Sequence, residues 1–412
     1  MPLGDALQGL TTLAVVVLGS LIVGNVFSRV GQPRVLGPIA VGIAVGTVAT
    51  ACSEAFDLTL ISASSVHLLQ DVGTAGLLLL MFSVGAELRG RRDTAHIPSN
   101  WHLMPSVLLP IVACTVIAWP FADLLVAPGS DAPFGWLFVG IALGVTAVPV
   151  LALIIKDLGI GDRIETQIAL RVSVVTDGLA WLLVSALVIA GTSIGALSIP
   201  AVVTGAVLLM SVTVVFPQCV RRVNPLTRGG PRLVMMVLST LAGAAATQFL
   251  GFHPAIGVVI AGFFFPDGSA EQGTQQMLAP VVEVLLPAFF VISAMSVPLR
   301  ALRELASWPG FACFCALGMA ALLSKLGAGF IFGAVNRWHW RSSAGLGALL
   351  NCRGVTEIAI ATVGFHAGLI SVYAFALLSA LALLTTATTA PLYRAVVRRR
   401  RSREPANASG SR

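Results

Sequence analysis

Thirteen apolar segments follow one another with only short polar joints between them, at about 7–28, 34–51, 69–88, 103–126, 133–156, 164–193, 196–217, 232–250, 254–270, 278–298, 308–334, 342–366 and 370–394. Most approach the roughly 20 residues a helix needs to cross the hydrocarbon of a bilayer. Membrane β-barrel strands would be about 10 residues long and strictly alternating. These runs are longer and apolar all round, so they predict helices, and the shortest two (34–51 and 254–270) are rich in glycine. Composition agrees: 57% of the 412 residues are hydrophobic and only 10% are charged, with a mean hydropathy of +0.92. A soluble domain carries about 25% charged residues, so a soluble globular protein is excluded. The reading is an all-α polytopic membrane protein, one transmembrane domain over residues 1–394. A basic tail (395–412) is expected to be disordered. No cleavable leader is expected, because the first segment begins near Leu7 with no basic residue before it.

The charge pattern gives the direction. The chain carries 25 basic residues and a net charge of +7, and only Lys156 and Lys325 are lysines. A basic protein can bind nucleic acid, but these residues sit in short joints between apolar runs, so the orientation rule for membrane proteins explains them better. An odd number of spans puts the termini on opposite sides. With the tail in the cytoplasm, that side holds Arg29, Arg34, Arg89, Arg91, Arg92, Lys156, Arg163, Arg171, Arg221, Arg222, Arg228, Arg232, Arg337, Arg341 and seven further arginines from Arg394 onward. The outer side holds Arg300 and Arg303, while Lys325 and Arg353 fall inside spans. This asymmetry predicts an N-terminus outside and a C-terminus in the cytoplasm, in a cytoplasmic (inner or plasma) membrane. The six cysteines form no C-x-x-C pair and read as small apolar fillers. No cofactor and no nucleic-acid partner is expected.

Thirteen divides as six, one and six. Residues 7–193 and 232–394 would be two repeats joined by a linker helix at 196–217. Starting seven spans apart, the repeats would be inverted, an arrangement that in secondary transporters goes with interrupted helices at matching positions. The fifth segment of the first repeat contains Gly144-Val145-Thr146-Ala147-Val148-Pro149-Val150. Pro149 lacks a backbone donor and disfavours helix at the residue before it. The fifth segment of the second contains Asn351-Cys352-Arg353-Gly354-Val355-Thr356-Glu357, polar and charged at mid-membrane depth. Both predict a break.

Ionisable groups in hydrocarbon are costly and are functional candidates by default. Asp177 lies about 13 residues into the sixth segment, roughly 20 Å along a helix, with nothing basic beside it in sequence at that depth. Lys325 either pairs with a carboxylate or replaces a bound cation when the site is empty. Arg353 and Glu357, four apart, form a structural pair at the break or support the site. Asp71 and Glu87 read as interfacial and Arg171 as snorkelling to the cytoplasmic face. Glu283 is open between the two readings. Low polarity disfavours a charged, empty carboxylate, whereas a nearby cation favours the ionised form. Asp177 would therefore hold a proton or a small cation, each expelling the other. The broken segments would offer half-helix ends and free carbonyls beside it.

Seven stretches in order, spread over nearly all spans, resemble the second family of monovalent cation:proton antiporters, in its Kef-like and plant cation/proton exchanger branch. They are Gly31–Gly37 (GQPRVLG) with Ala40-Val41-Gly42, Leu80–Leu88 (LMFSVGAEL), Thr146–Val150 (TAVPV), Val175–Trp181 (VTDGLAW), Gly251–Gly257 (GFHPAIG) with Ala261-Gly262, Asn351–Glu357 (NCRGVTE), and Leu384-Thr385-Thr386 before Pro391. The resemblance implies a sodium/proton antiporter fold and a homodimer of a scaffold and a moving core, the core comprising segments 3–6 and 10–13. It implies that Asp177 binds a cation (Na+ or K+) and a proton in alternation, with Lys325 as the family's lysine on the facing helix. Thr176 and Thr146 complete the expected ion site, with Lys325, Arg353 and Glu357 as supporting charges and Pro149 and Gly354 at the breaks.

Thr176 stands where the family usually has Asp, Asn or Gln, and electrogenic members carry two adjacent aspartates. A single carboxylate points to one-for-one, electroneutral exchange. Lys325 lacks its usual acidic partner, which leaves Asp177 and Glu357 as alternatives. About 18 residues follow the last segment, so gating by a nucleotide or glutathione is not expected. Two rivals stand beside ion exchange. One is transport of another substrate, such as an organic anion or an antibiotic ionophore complex. The other is a membrane enzyme on the same scaffold, with Asp177 as the general acid that protonates an isoprenoid. A wide apolar cavity at Asp177 would favour the enzyme.

Overall fold

The fold is described from a computed structural model, which covers residues 3–57, 61–90, 100–191, 230–249, 254–265, 271–297 and 299–397. Numbered among these, the helices are α1 (Leu3–Arg29), α2 (Leu36–Phe56), α3 (Ala63–Gly90), α4 (Met104–Ala118), α5 (Ala122–Leu125), α6 (Ala132–Gly144), α7 (Val148–Leu158) and α8 (Ile164–Gly191). They continue as α9 (Gly230–Phe249), α10 (Pro254–Phe264), α11 (Glu271–Met295), α12 (Trp308–Val335), α13 (Trp340–Leu350), α14 (Val355–His366) and α15 (Val372–Val397). Every apolar segment within these residues is helical. The segment at 196–217 and the tail from 398 lie outside the described residues. Nine helical spans among them are long and apolar enough to cross a membrane.

Local chemistry sets the ends. Ser307 caps α12, its hydroxyl accepting from the Gly310 N–H at 3.2 Å, with Pro309 in the first turn where no donor is needed. Gly159, at φ 62°, ends α7 in the left-handed conformation. The outer faces carry exposed aliphatics, among them Val15 and Ile22 on α1, Val116 on α4, Leu238 on α9 and Leu323 on α12. Such faces suit lipid rather than water. Trp119 and Trp308 stand exposed at helix ends, as interfacial tryptophans do.

The helices pack as two bundles. One holds α1–α3 and α9–α11; the other holds α4–α8 and α12–α15. This corrects the expected core, because segments 3 and 10 (α3 and α11) pack with the first bundle. The reason lies in glycine. A Cβ at Gly73 of α3 would come within 2.5 Å of the Phe289 backbone nitrogen, and one at Gly76 within 2.7 Å of that of Leu286. In lipid, helices associate through such close backbone approach, and this face binds α3 to α11.

Polar contacts mark two ends. At one, the Arg34 N–H donates to Asp157 Oδ2 (2.8 Å), Arg394 donates to the Gly31 carbonyl, and Lys156 lies 3.5 Å from Glu283. All three cross from one bundle to the other. His102 and Asn336 also meet at 3.1 Å, and Tyr393 donates to Glu165 at 3.1 Å. At the opposite end a β-bridge joins Val126 to Ile370, and Tyr373 donates to the Gly310 carbonyl at 2.7 Å. Loops that the charge count assigns to one side thus share one end of the molecule.

Gly73→Leu is expected to wedge α3 from α11 and to destabilise the protein by about 1–3 kcal/mol or more. Gly19→Ala, with nothing within 4 Å of its added Cβ, should be neutral or mildly stabilising. Thermal unfolding in detergent checks both, and equal midpoints for the two variants would discount the glycine face.

Candidate functional site

Both predicted breaks are present. After Gly144 the chain is extended until α7 starts at Val148, and after Leu350 helix resumes at Val355. Pro149 occupies the first turn of α7, where its missing N–H leaves nothing unpaired. Gly354 permits the approach of the two chains, because a Cβ there would lie 2.4 Å from Val150 Cγ2.

Broken backbone inside a membrane protein must find other partners, and the breaks supply them to each other. The Ala147 N–H donates to the Cys352 carbonyl at 3.1 Å, and the Thr146 hydroxyl to the Leu350 carbonyl at 2.8 Å. Thr386 donates to the Arg353 carbonyl at 2.7 Å. Two buried cations meet the end of α6: Arg353 donates to the Leu143 carbonyl, and Lys325 to that of Val145 and to Thr146 Oγ1 at 3.0 Å. A helix C-terminus carries partial negative charge, which suits both.

Asp177 sits at the complementary pole. Its Oδ2 accepts from the Val148 N–H at 3.2 Å, at the start of α7, where the helix end is partially positive. Its Oδ1 is buried and has no hydrogen-bond partner, although the residue as a whole is half-buried. Asp177 therefore meets a backbone amide and not a guanidinium. Lys325 makes no ion pair with it or with Glu357, and both alternatives left open by the sequence give way to the Val145 carbonyl and the Thr146 hydroxyl.

The other candidates divide. Arg353 and Glu357 form the expected pair, Nη1 to Oε1 at 2.9 Å with both side chains buried, and Glu357 Oε2 stays unpartnered. Thr146 lies within the crossover, its hydroxyl already bonded. Thr176 is buried beside Asp177 in sequence, but its hydroxyl turns back to the Val172 and Ser173 carbonyls of its own helix (3.0 and 2.9 Å), a common fate for threonine in a helix. The carbonyls expected to be free beside Asp177 instead hold donors at Leu143, Val145, Leu350, Cys352 and Arg353. Glu283 pairs with Lys156, both more than half exposed, and Asp71 is exposed. The side chain of Glu87 lies outside what is described. The sequence motif had passed over Asn351 as a site residue. It is fully buried in the crossover with neither amide atom bonded.

A cavity of about 880 Å³ lies between the bundles, at the end where Arg34 meets Asp157. Its walls run from Ser20 and Asn25 on α1 to Phe290 on α11, with Lys156 and Glu283 at the charged side. Asp177 is not among its lining residues.

Removing one partner of a buried ion pair costs about 3–5 kcal/mol. Arg353→Ala is expected to lower thermal stability by this order. The double variant Arg353→Met/Glu357→Leu should recover a substantial part, the rest being the lost bond to Leu143. No recovery would mean that the guanidinium acts through other partners.

Comparison with known proteins accords with this geometry. A K(+)/H(+) antiporter 1 from Saccharomyces cerevisiae is 27% identical over 89% of this chain, which spans 44% of that protein. A Na(+)/H(+) antiporter, NhaS4, from Synechocystis is 29% identical, over 92% of this chain and 94% of its own. The solved sodium proton antiporter MjNhaP1 from Methanocaldococcus jannaschii shares the fold, with a TM-score of 0.60 at 16% identity over 96% of this chain and 99% of its own. The family model for the transmembrane sodium/hydrogen exchanger matches residues 14–395. The chain therefore belongs to the sodium/hydrogen exchanger family, as a multi-pass membrane protein.

Proposed function

We propose that this protein is a secondary antiporter that exchanges protons for a monovalent cation, Na+ or K+, through alternate occupancy of Asp177. The observation that carries the reading is the state of that carboxylate. It sits at a half-helix N-terminus in the crossover, with one oxygen on a backbone amide and the other unpartnered. A carboxylate so placed is half-compensated, and a proton or a small cation completes it. The amide and helix end help the ionised form between occupants. Lys325 and Arg353 are engaged with the opposite half-helix end, so they shape the field at the site without neutralising the carboxylate by contact.

The antiport activity of the yeast and cyanobacterial relatives, by their names, supports exchange over the enzyme alternative. The walls of the inter-bundle cavity, which lie toward the Arg34–Asp157 end and do not include Asp177, point the same way. One titrating carboxylate supports one-for-one exchange. The joining of Arg-bearing loops at one end supports an arginine-rich cytoplasmic face, hence an N-terminus outside, in the cytoplasmic membrane. Access would alternate by motion of the bundle carrying the crossover against the bundle carrying α1–α3, in a homodimer within the lipid.

In proteoliposomes with an imposed pH gradient, Na+ or K+ should release protons through the wild-type protein, and Asp177→Asn should abolish the signal. Equal signals from both proteins would remove Asp177 from this role. Because the two ions compete, lowering the pH should raise the apparent KM for the cation and leave the maximal rate at saturating cation unchanged. A KM independent of pH, with only the maximal rate falling, would oppose shared occupancy.

A further inference from the structure

We infer that Asn351 is a further residue of the ion site, its amide oxygen coordinating the dehydrated alkali cation held by Asp177. The inference rests on the exchange reading and assigns a residue to that same site.

Asn351 ends α13 at the second break and is completely buried. An asparagine at a helix end ordinarily bonds nearby backbone, but here neither Oδ1 nor Nδ2 has a hydrogen-bond partner. Its main chain is accounted for, the N–H donating to the Gly347 and Ala348 carbonyls. The side chain therefore does nothing for the cap. An unpaired buried amide is destabilising, and leucine, of similar size, would fill the space without that penalty. Departures of this kind from a well-satisfied interior concentrate at functional sites.

Position 351 sits between the two bonds that join the breaks. The residue before it accepts from Thr146 and the residue after it accepts from Ala147. The next residue on that strand, Val148, donates to Asp177. Asp177 Oδ1, Thr356 Oγ1 and Glu357 Oε2 are the other buried oxygens near the crossover without a partner. Amide and carboxylate oxygens are hard ligands that can replace the hydration shell of an alkali cation. When Asp177 is protonated, the same amide can donate Nδ2–H to the carbonyl oxygen of the neutral acid.

The test compares wild type, Asn351→Leu, Asn351→Ser and Asp177→Asn in proteoliposomes, with thermal unfolding measured in parallel. Asn351→Leu should unfold at or above the wild-type temperature. It should also raise the apparent KM for Na+ and K+ at least tenfold, with a changed ratio between them. Asn351→Ser, which keeps a smaller acceptor, should fall between. If Asn351→Leu does not fold, the serine variant alone decides. KM values and a Na+/K+ ratio within twofold of wild type in a folded variant would overturn the assignment. Wild type that exchanges, and an Asp177→Asn that does not, would show such a failure to belong to Asn351 and not to the exchange reading.

Discussion

Two interrupted helices cross inside a membrane protein, and the unpaired backbone of each must be met there. Hydrocarbon offers no substitute for water, and each unsatisfied group would cost several kcal/mol. The crossover answers this with bonds between the two breaks, through Ala147, Thr146 and the carbonyls of Leu350 and Cys352. The remainder falls to Lys325, Arg353 and Thr386. The same interruption that exposes these groups also exposes a half-helix N-terminus, and that terminus receives Asp177. Lys325 and Asp177 are thus sorted by the polarity of the helix ends and not by pairing with each other, while Arg353 both meets a helix end and pairs with Glu357.

Much of this was legible in the sequence. Apolar runs gave the helices, because lipid requires a long uninterrupted apolar surface. Pro149 and the polar stretch around Gly354 gave the breaks, because each disfavours helix for a local reason. The spacing of Arg353 and Glu357 anticipated their contact even though helix resumes only after Arg353. What the sequence withheld depends on distant packing. The partners of Lys325, the Val145 carbonyl and the Thr146 hydroxyl, lie about 180 positions away, and a carbonyl has no signature in a sequence. The side on which α3 and α11 pack follows from which helix backbone faces Gly73 and Gly76, and glycines are common throughout this chain. Asn351 stood within a recognised motif, but its unbonded amide appears only once its surroundings are built.

The site also shows why the flanking threonines differ from the aspartate. Thr176 and Thr146 are as buried as any core residue and satisfy themselves with carbonyls, so they are structurally quiet. Asp177 and Asn351 keep buried atoms unpaired. Around the crossover, two of these four side chains are thus satisfied by backbone and two keep an unpaired atom.

The contacts that tie the two bundles at the arginine-rich end are of the weakest kind. Lys156 and Glu283 are 61% and 53% exposed, and such exposed pairs contribute about 0–1 kcal/mol. Asp157 and Arg394 reach only backbone groups of the facing bundle, and solvent can stand in for either partner. A motion that opened this seam would exchange these protein bonds for equivalent bonds to water. The polar contacts at this end therefore do little to lock the two bundles together.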